Sequence, residues 1–263
     1  MVVQSPPDGG GTETTSGTAL YCYGVTWAAA AQPQQDAGIG GASVEPIRDG
    51  ELAALTSPVE SMRVRARRAD LLRHSGVLTT AVEDGTVLPF RFGVAFPNEP
   101  ALVDGFLRAR HDELVTLLRR FEHRVELTVK AFYREQAILA EIVRENPRIE
   151  RMQAATRLGG TATYPLKIEL GETVARELQA RTQRDRNGLL DRLCPLAIDV
   201  DVDREPIEYQ VLRASFLVDR KRVPKFDETM DELARGQAGR IDFKYMGPLA
   251  PHSFVSLTEA EAR

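Results

Sequence analysis

The most constraining stretch of this chain begins at residue 125, where Val125, Leu127 and Val129 alternate with Glu126, Thr128 and Lys130. Apolar residues at a period of two mean an extended strand with one face on a core and the other towards water. The residues that follow write out the remainder of a domain. A helical pattern runs from about Arg134 to Asn146 and ends before Pro147, because the residue ahead of a proline is pushed out of helical geometry. Residues 148–164 are polar, contain Gly159-Gly160, and read as a mobile excursion. A long helix fits Glu172 to Leu193, with Ala175, Leu178, Thr182, Leu189 and Leu193 along one side and Asn187-Gly188 interrupting its composition. Ala197 to Val202 and Tyr209 to Val218 read as strands separated by Glu205-Pro206. Val223, Phe226, Met230 and Leu233 mark a helix, and Arg240 to Tyr245 alternates once more. The order strand, helices, strand, strand, helix, strand predicts a ferredoxin-like split βαβ arrangement with extra helical material in its first crossover.

The first half carries a different pattern. Met1 to Thr18 is rich in Gly, Ser, Thr and Pro and reads as a disordered tail, with neither the basic start nor the apolar run of a signal peptide. Ala19 to Val25 is an apolar and aromatic strand, and Ala28 to Gly41 a loop. Val44 to Ile47 and Leu52 to Val59 flank Asp49-Gly50, a hairpin signal. A helix is expected from Arg63 to Val82 with Ala69, Leu72, Leu78 and Val82 on one side, and a strand across Val87 to Phe96 with Pro89 near its start. Val103, Leu107, Leu114, Leu118 and Phe121 place one apolar stripe on a helix over Ala101 to Phe121, capped by Asn98. Two α+β domains follow, 19–121 and 122–256, with 257–263 as a short tail.

Composition removes several functional classes. A formal charge of −4 argues against a dedicated nucleic-acid binder, which carries a basic excess. Cys22 and Cys194 fit neither a disulfide framework nor a zinc motif and read as small buried hydrophobes in a reducing cytoplasm. No apolar run reaches the roughly 18 residues that cross a bilayer. Asp199, Asp201 and Asp203 share one face of a strand, but Arg204 and Gln210 stand where a calcium loop needs glycine and glutamate, so a solvated rim is expected rather than a metal site. Arg63, Arg65, Arg67 and Arg68 are expected to fan around a helix start as solvated surface. His74, His111, His123 and His252 form no ligand pair, and no nucleophile elbow or phosphate loop is present. Nothing assembles a nucleophile, base and orienter, so no catalytic residues, metal or cofactor are expected.

Two segments remain unusual. Leu88 to Gly93 sets Arg91 between Phe90 and Phe92, which alternation would place together with Arg91 opposite. Tyr245 to Phe254 is apolar and stiffened by Pro248 and Pro251, and suits either a domain junction or a partner surface.

In order along the chain, these stretches resemble the gas vesicle GvpF/GvpL family. Leu20-Tyr21-Cys22-Tyr23-Gly24 is similar to the family's opening strand, and Leu88-Pro89-Phe90-Arg91-Phe92-Gly93 to its Pro-Leu-Arg-Phe-Gly segment with Phe90 in place of leucine. Glu126 to Lys130 resembles the strand that opens the second domain. Tyr245-Met246-Gly247-Pro248 with Pro251-His252-Ser253-Phe254 is similar to the Tyr-x-Gly-Pro and Pro-Tyr-Ser-Phe ending, His252 replacing a tyrosine. The resemblance spans about residues 19 to 257. It implies a cytoplasmic protein associated with gas vesicles, which binds the small hydrophobic shell protein GvpA and other accessory Gvp proteins, with no membrane span and no catalytic residues. Phe90, Arg91, Phe92, Tyr245, Pro248, Pro251 and Phe254 are the expected partner-binding residues. The alternative is a regulatory module that binds a small ligand on a ferredoxin-like domain.

Overall fold

A computed structural model describes residues 18–157, 164–203 and 207–255. The expected tails, Gly159-Gly160 and Glu205-Pro206 lie outside the described residues.

The first sheet is built on β1, Ala19–Trp27, which pairs antiparallel with β3, Leu52–Val59. β2, Glu45–Asp49, closes the expected hairpin on β3. On its other edge β1 pairs with β4, Val87–Pro89, and then with β5, Ala95–Phe96. Both faces of this sheet are covered, which is why β1 is apolar almost throughout. Tyr21 and Tyr23 face one apolar cluster with α1, Arg68–Asp84, while Cys22, Val25, Leu52 and Leu88 face a second cluster with the helices after β5.

Three expectations change here. α1 begins at Arg68, not Arg63, and buries His74, Val77, Leu78, Ala81 and Val82. Ala69 and Leu72 lie on its opening turns and are exposed, Leu72 at 64%. The single strand over Val87 to Phe96 is two short strands, with Pro89 ending the first. From Pro89 to Ala95 is six steps along the chain, yet their partners Gly24 and Tyr21 are three apart on β1, so the intervening residues loop outward. The expected helix over Ala101 to Phe121 is divided into α2, Glu99–Leu102, a π-helical turn at Val103–Arg108, and α3, His111–Arg120. Asn98 does cap it, Oδ1 accepting from the Ala101 N–H at 2.9 Å.

The second sheet runs in the order β7, β8, β6, β9, all neighbours antiparallel: β6 is Arg124–Tyr133, β7 Asp199–Val202, β8 Gln210–Asp219 and β9 Ile241–Leu249. Val125, Leu127, Val129 and Ala131 of β6 turn to the helix side, as their alternation requires. That side is covered by α4, Glu135–Glu145, α5, Pro147–Arg157, α6, Tyr164–Leu193, and α7, Val223–Gly236. The expected excursion is helical instead over Pro147–Arg157, because Ile149 and Met152 are drawn into the core. α6 continues unbroken through Asn187-Gly188, where tertiary packing of Leu189 and Leu193 outweighs the local cost of glycine. Ala250 and the α1 residues belong to one apolar cluster with the helix side of β6 and β8, so the two sheets share packed hydrophobic surface.

Candidate partner-binding surface

The loop between β4 and β5 is pinned from below. Phe90 is 0% exposed and packs against Phe96 and Phe106, ring centroids 6.2 and 5.2 Å away. Phe92 turns to the other side of the sheet, against Tyr21 at 5.9 Å and His74 at 5.7 Å. The two phenylalanines are therefore separated, since the outward loop breaks the alternation that would have paired them. Arg91 stays exposed between them.

A short hydrogen-bonded chain fixes this turn. The Gly93 N–H, on a residue with φ of 98°, donates to the Tyr21 hydroxyl at 3.1 Å. Tyr21 Oη is in turn hydrogen-bonded to His74 Nδ1 at 2.8 Å, the ring tautomer setting which of the two donates. Burial strips water from His74 and lowers its pKa to about 4, with His252 adding repulsion, so the ring is neutral at pH 7. Burial likewise raises the pKa of the Tyr21 phenol.

The segment from Tyr245 to Phe254 is anchored at both ends. Tyr245 stacks on Phe226 at 5.9 Å and donates to Asp227 Oδ1 at 2.5 Å; burial, then that bond, raises its pKa. Eight residues on, Ser253 donates its N–H and its hydroxyl to the two oxygens of Glu126, each at 2.8 Å. Glu126 is 3% exposed although it stands on the polar side of β6. Pro251 is buried, Phe254 half-buried and Val255 buried among residues of the first sheet's second cluster, so the segment crosses from one sheet to the other. Between the anchors Met246 and Pro248 face outward, Met246 being 43% exposed.

Beside Ser253 the polar side of the second sheet forms an open cavity of about 550 Å³ lined by Glu126, Thr128, Lys130, Arg213 and Ser215. Asp201 and Asp203 stand on its rim, and Asp203 pairs with Arg213 at 3.3 Å. Among the described residues no three His, Cys, Asp or Glu side chains gather as a metal site. Cys22 is buried and Cys194 half-buried. No described helix is long and apolar enough to cross a membrane.

Of the expected residues, then, Phe90 and Pro251 are core, Phe92, Tyr245 and Phe254 are half-buried, and Arg91 and Pro248 are exposed. Glu126, Ser253 and His74 were not anticipated. No local pattern signals them, for Glu126 occupies an ordinary polar position of an alternating strand. The same holds for a charged cluster behind β6. There Arg181, 8% exposed, meets Glu141 at 2.6 Å and Glu145 at 2.9 Å, and Arg240 meets Glu141 and Asp185, each at 2.7 Å.

A mixed α/β chain of two antiparallel sheets, closed by an anchored C-terminal segment and matching the gas vesicle synthesis protein GvpL/GvpF family over residues 19–256, belongs to that family. Gas vesicle protein F of Streptomyces sp. (strain CB03234) is 34% identical over 239 residues, covering 89% of this chain and 98% of that protein. Gas vesicle protein L of the same strain is 27% identical over 257 residues, 87% of this chain and 89% of that one. The crystal structure of GvpF from Anabaena sp. PCC7120 shares the fold, with a TM-score of 0.75 at 23% identity over 92% of this chain and 99% of that one.

Proposed function

We propose that this chain is a cytoplasmic accessory protein of gas vesicle assembly that docks the hydrophobic shell protein GvpA and other Gvp proteins through the surface around residues 245–254. A shell that excludes water exposes apolar subunit surface before it closes, and a soluble partner can cover that surface. The observation that carries this reading is the double anchoring of the Tyr245–Phe254 segment. Held by Asp227 at one end and Glu126 at the other, it runs from the edge strand β9 towards the first sheet with Met246 and Pro248 exposed. Phe90, Phe92 and Pro251 support the surface from beneath, and Arg91 flanks it. We divide the chain at about residue 121, the second unit being a ferredoxin-like domain whose strand order, β7-β8-β6-β9, is the one that a split βαβ arrangement produces. The reading assigns no catalytic role.

Co-expression with tagged GvpA tests it. Met246→Asp should reduce GvpA capture with an unchanged melting curve, while Leu72→Asp, on the far side of α1, should not. Equal capture by both variants and the unaltered protein would remove the proposed surface.

A second reading, a module that binds a small polar ligand, is favoured by the cavity at Glu126, Lys130 and Arg213. Thermal stabilisation by a nucleotide or phosphate compound that disappears in Lys130→Ala would support it.

A further inference from the structure

Because α1 starts at Arg68, the arginines ahead of it do not fan around a helix. Arg63, Arg65 and Arg67 lie on the loop between β3 and α1, and all three line one open groove of about 850 Å³. The loop is shaped by its own backbone bonds: Arg63 N–H donates to Ser61 Oγ at 3.2 Å, and Arg67 N–H to the Arg65 carbonyl at 2.9 Å. Val59 and Val64 pack against the first apolar cluster, to which Ile39 belongs, and all three line the groove as its aliphatic part.

Two carboxylates share the groove, Glu60 and Asp70. Asp70 is turned to the Gly40 N–H, 3.5 Å away. Among the described residues no carboxylate lies within ion-pairing distance of the Arg63, Arg65 or Arg67 guanidinium groups, whereas Arg108, Arg181 and Arg240 each meet one. Three guanidinium groups lining one groove, with aliphatic side chains beside them, suit a ligand that offers several carboxylates and apolar side chains between them. A single small anion would need donors converging on a point.

We propose that this groove is a docking site for an acidic, extended segment of a partner protein, in which carboxylates alternate with aliphatic residues. The guanidinium groups read the carboxylates by charge-assisted hydrogen bonds, and Val59, Val64 and Ile39 receive the aliphatic side chains. The groove is separate from the Tyr245–Phe254 surface and does not rest on its role.

Fluorescence anisotropy on the full chain tests this with a labelled synthetic peptide of about ten residues, alternating Asp and Val, the length of a typical strand-like recognition segment. The peptide should bind at low salt and weaken as salt is raised. Arg63→Glu with Arg65→Glu and Arg67→Glu should weaken it by about ten-fold or more, and should gain binding to a Lys/Val peptide. These side chains are exposed, so an unchanged melting curve is expected, and Arg65→Ala alone should show an intermediate loss. Undiminished binding by the triple variant overturns the proposal. So does inorganic polyphosphate binding as tightly as the peptide, which would show a general anion surface. Salt-sensitive dimerisation abolished by the triple variant would instead make a second copy of this chain the occupant and overturn the partner-protein assignment.

Discussion

Ser253 donates to Glu126 through both its backbone N–H and its hydroxyl, 2.8 Å to each carboxylate oxygen, and so ties the segment after β9 to the start of β6. Glu126 is almost fully buried, so removing its charge costs more than an exposed contact would. Glu126→Gln sets an amide donor against one of the Ser253 donors and should destabilise the fold by about 2 kcal/mol. Ser253→Ala keeps the backbone bond and should cost about 1 kcal/mol. Urea midpoints read both; equal midpoints for Glu126→Gln and the unaltered protein would mean the clamp contributes nothing.

Gly247 allows β9 to pass close to β6. A Cβ there would sit 2.5 Å from Leu127 Cδ2 and 2.9 Å from the Glu126 carbonyl, on a residue with φ of 146°. Gly247→Ala should therefore cost about 2 kcal/mol or more through strain and overpacking. Gly76, within α1, has no atom within 4 Å of the added Cβ, and Gly76→Ala should stabilise by about 0.5–1 kcal/mol. Thermal unfolding of the two variants should move in opposite directions.

His74 gives the fold an acid-sensitive point. Its pKa is about 4 when folded against 6.5 when free, so below pH 6.5 the unfolded chain takes up a proton that the fold refuses. Stability should fall as pH drops from 6.5 to 4, by about 3 kcal/mol in all, and not further from this group below that. The difference in unfolding free energy between the unaltered protein and His74→Gln, followed across this range, isolates the effect. A flat difference would exclude it.

Glu141 joins two arginines, and the consequences of removing it are not symmetrical with removing a partner. Glu141→Ala leaves Arg181 buried with only the more exposed Glu145 and should cost about 3 kcal/mol. Arg181→Met leaves Glu141 with Arg240 and deletes a buried Nε that has no hydrogen-bond partner, so it should be milder. Chemical denaturation should rank them in that order; the reverse order would show that the aliphatic stem of Arg181 matters more than its charge.

Much of the fold was readable because it is local. The alternation at Val125 to Val129, the Asp49-Gly50 turn, the Asn98 cap and the stripe through Phe226 and Met230 each depend on neighbours a few residues away. The errors arose where a distant partner decided. Pairing to β1 broke the strand at Pro89 and sent Phe90 and Phe92 to opposite sides, and burial of Ile149 and Met152 made a helix of a polar stretch.

The sequence alone determined most of the extended and helical segments and, by its ordered short stretches, the family. Tertiary structure decided which polar groups are buried and which charges go unpaired: Glu126 under Ser253, Arg181 between carboxylates, Arg63, Arg65 and Arg67 along an open groove. Periodicity records a residue's side of its own element. Burial and pairing depend on what a chain segment as distant as 127 residues brings against that side, and no local pattern carries that information.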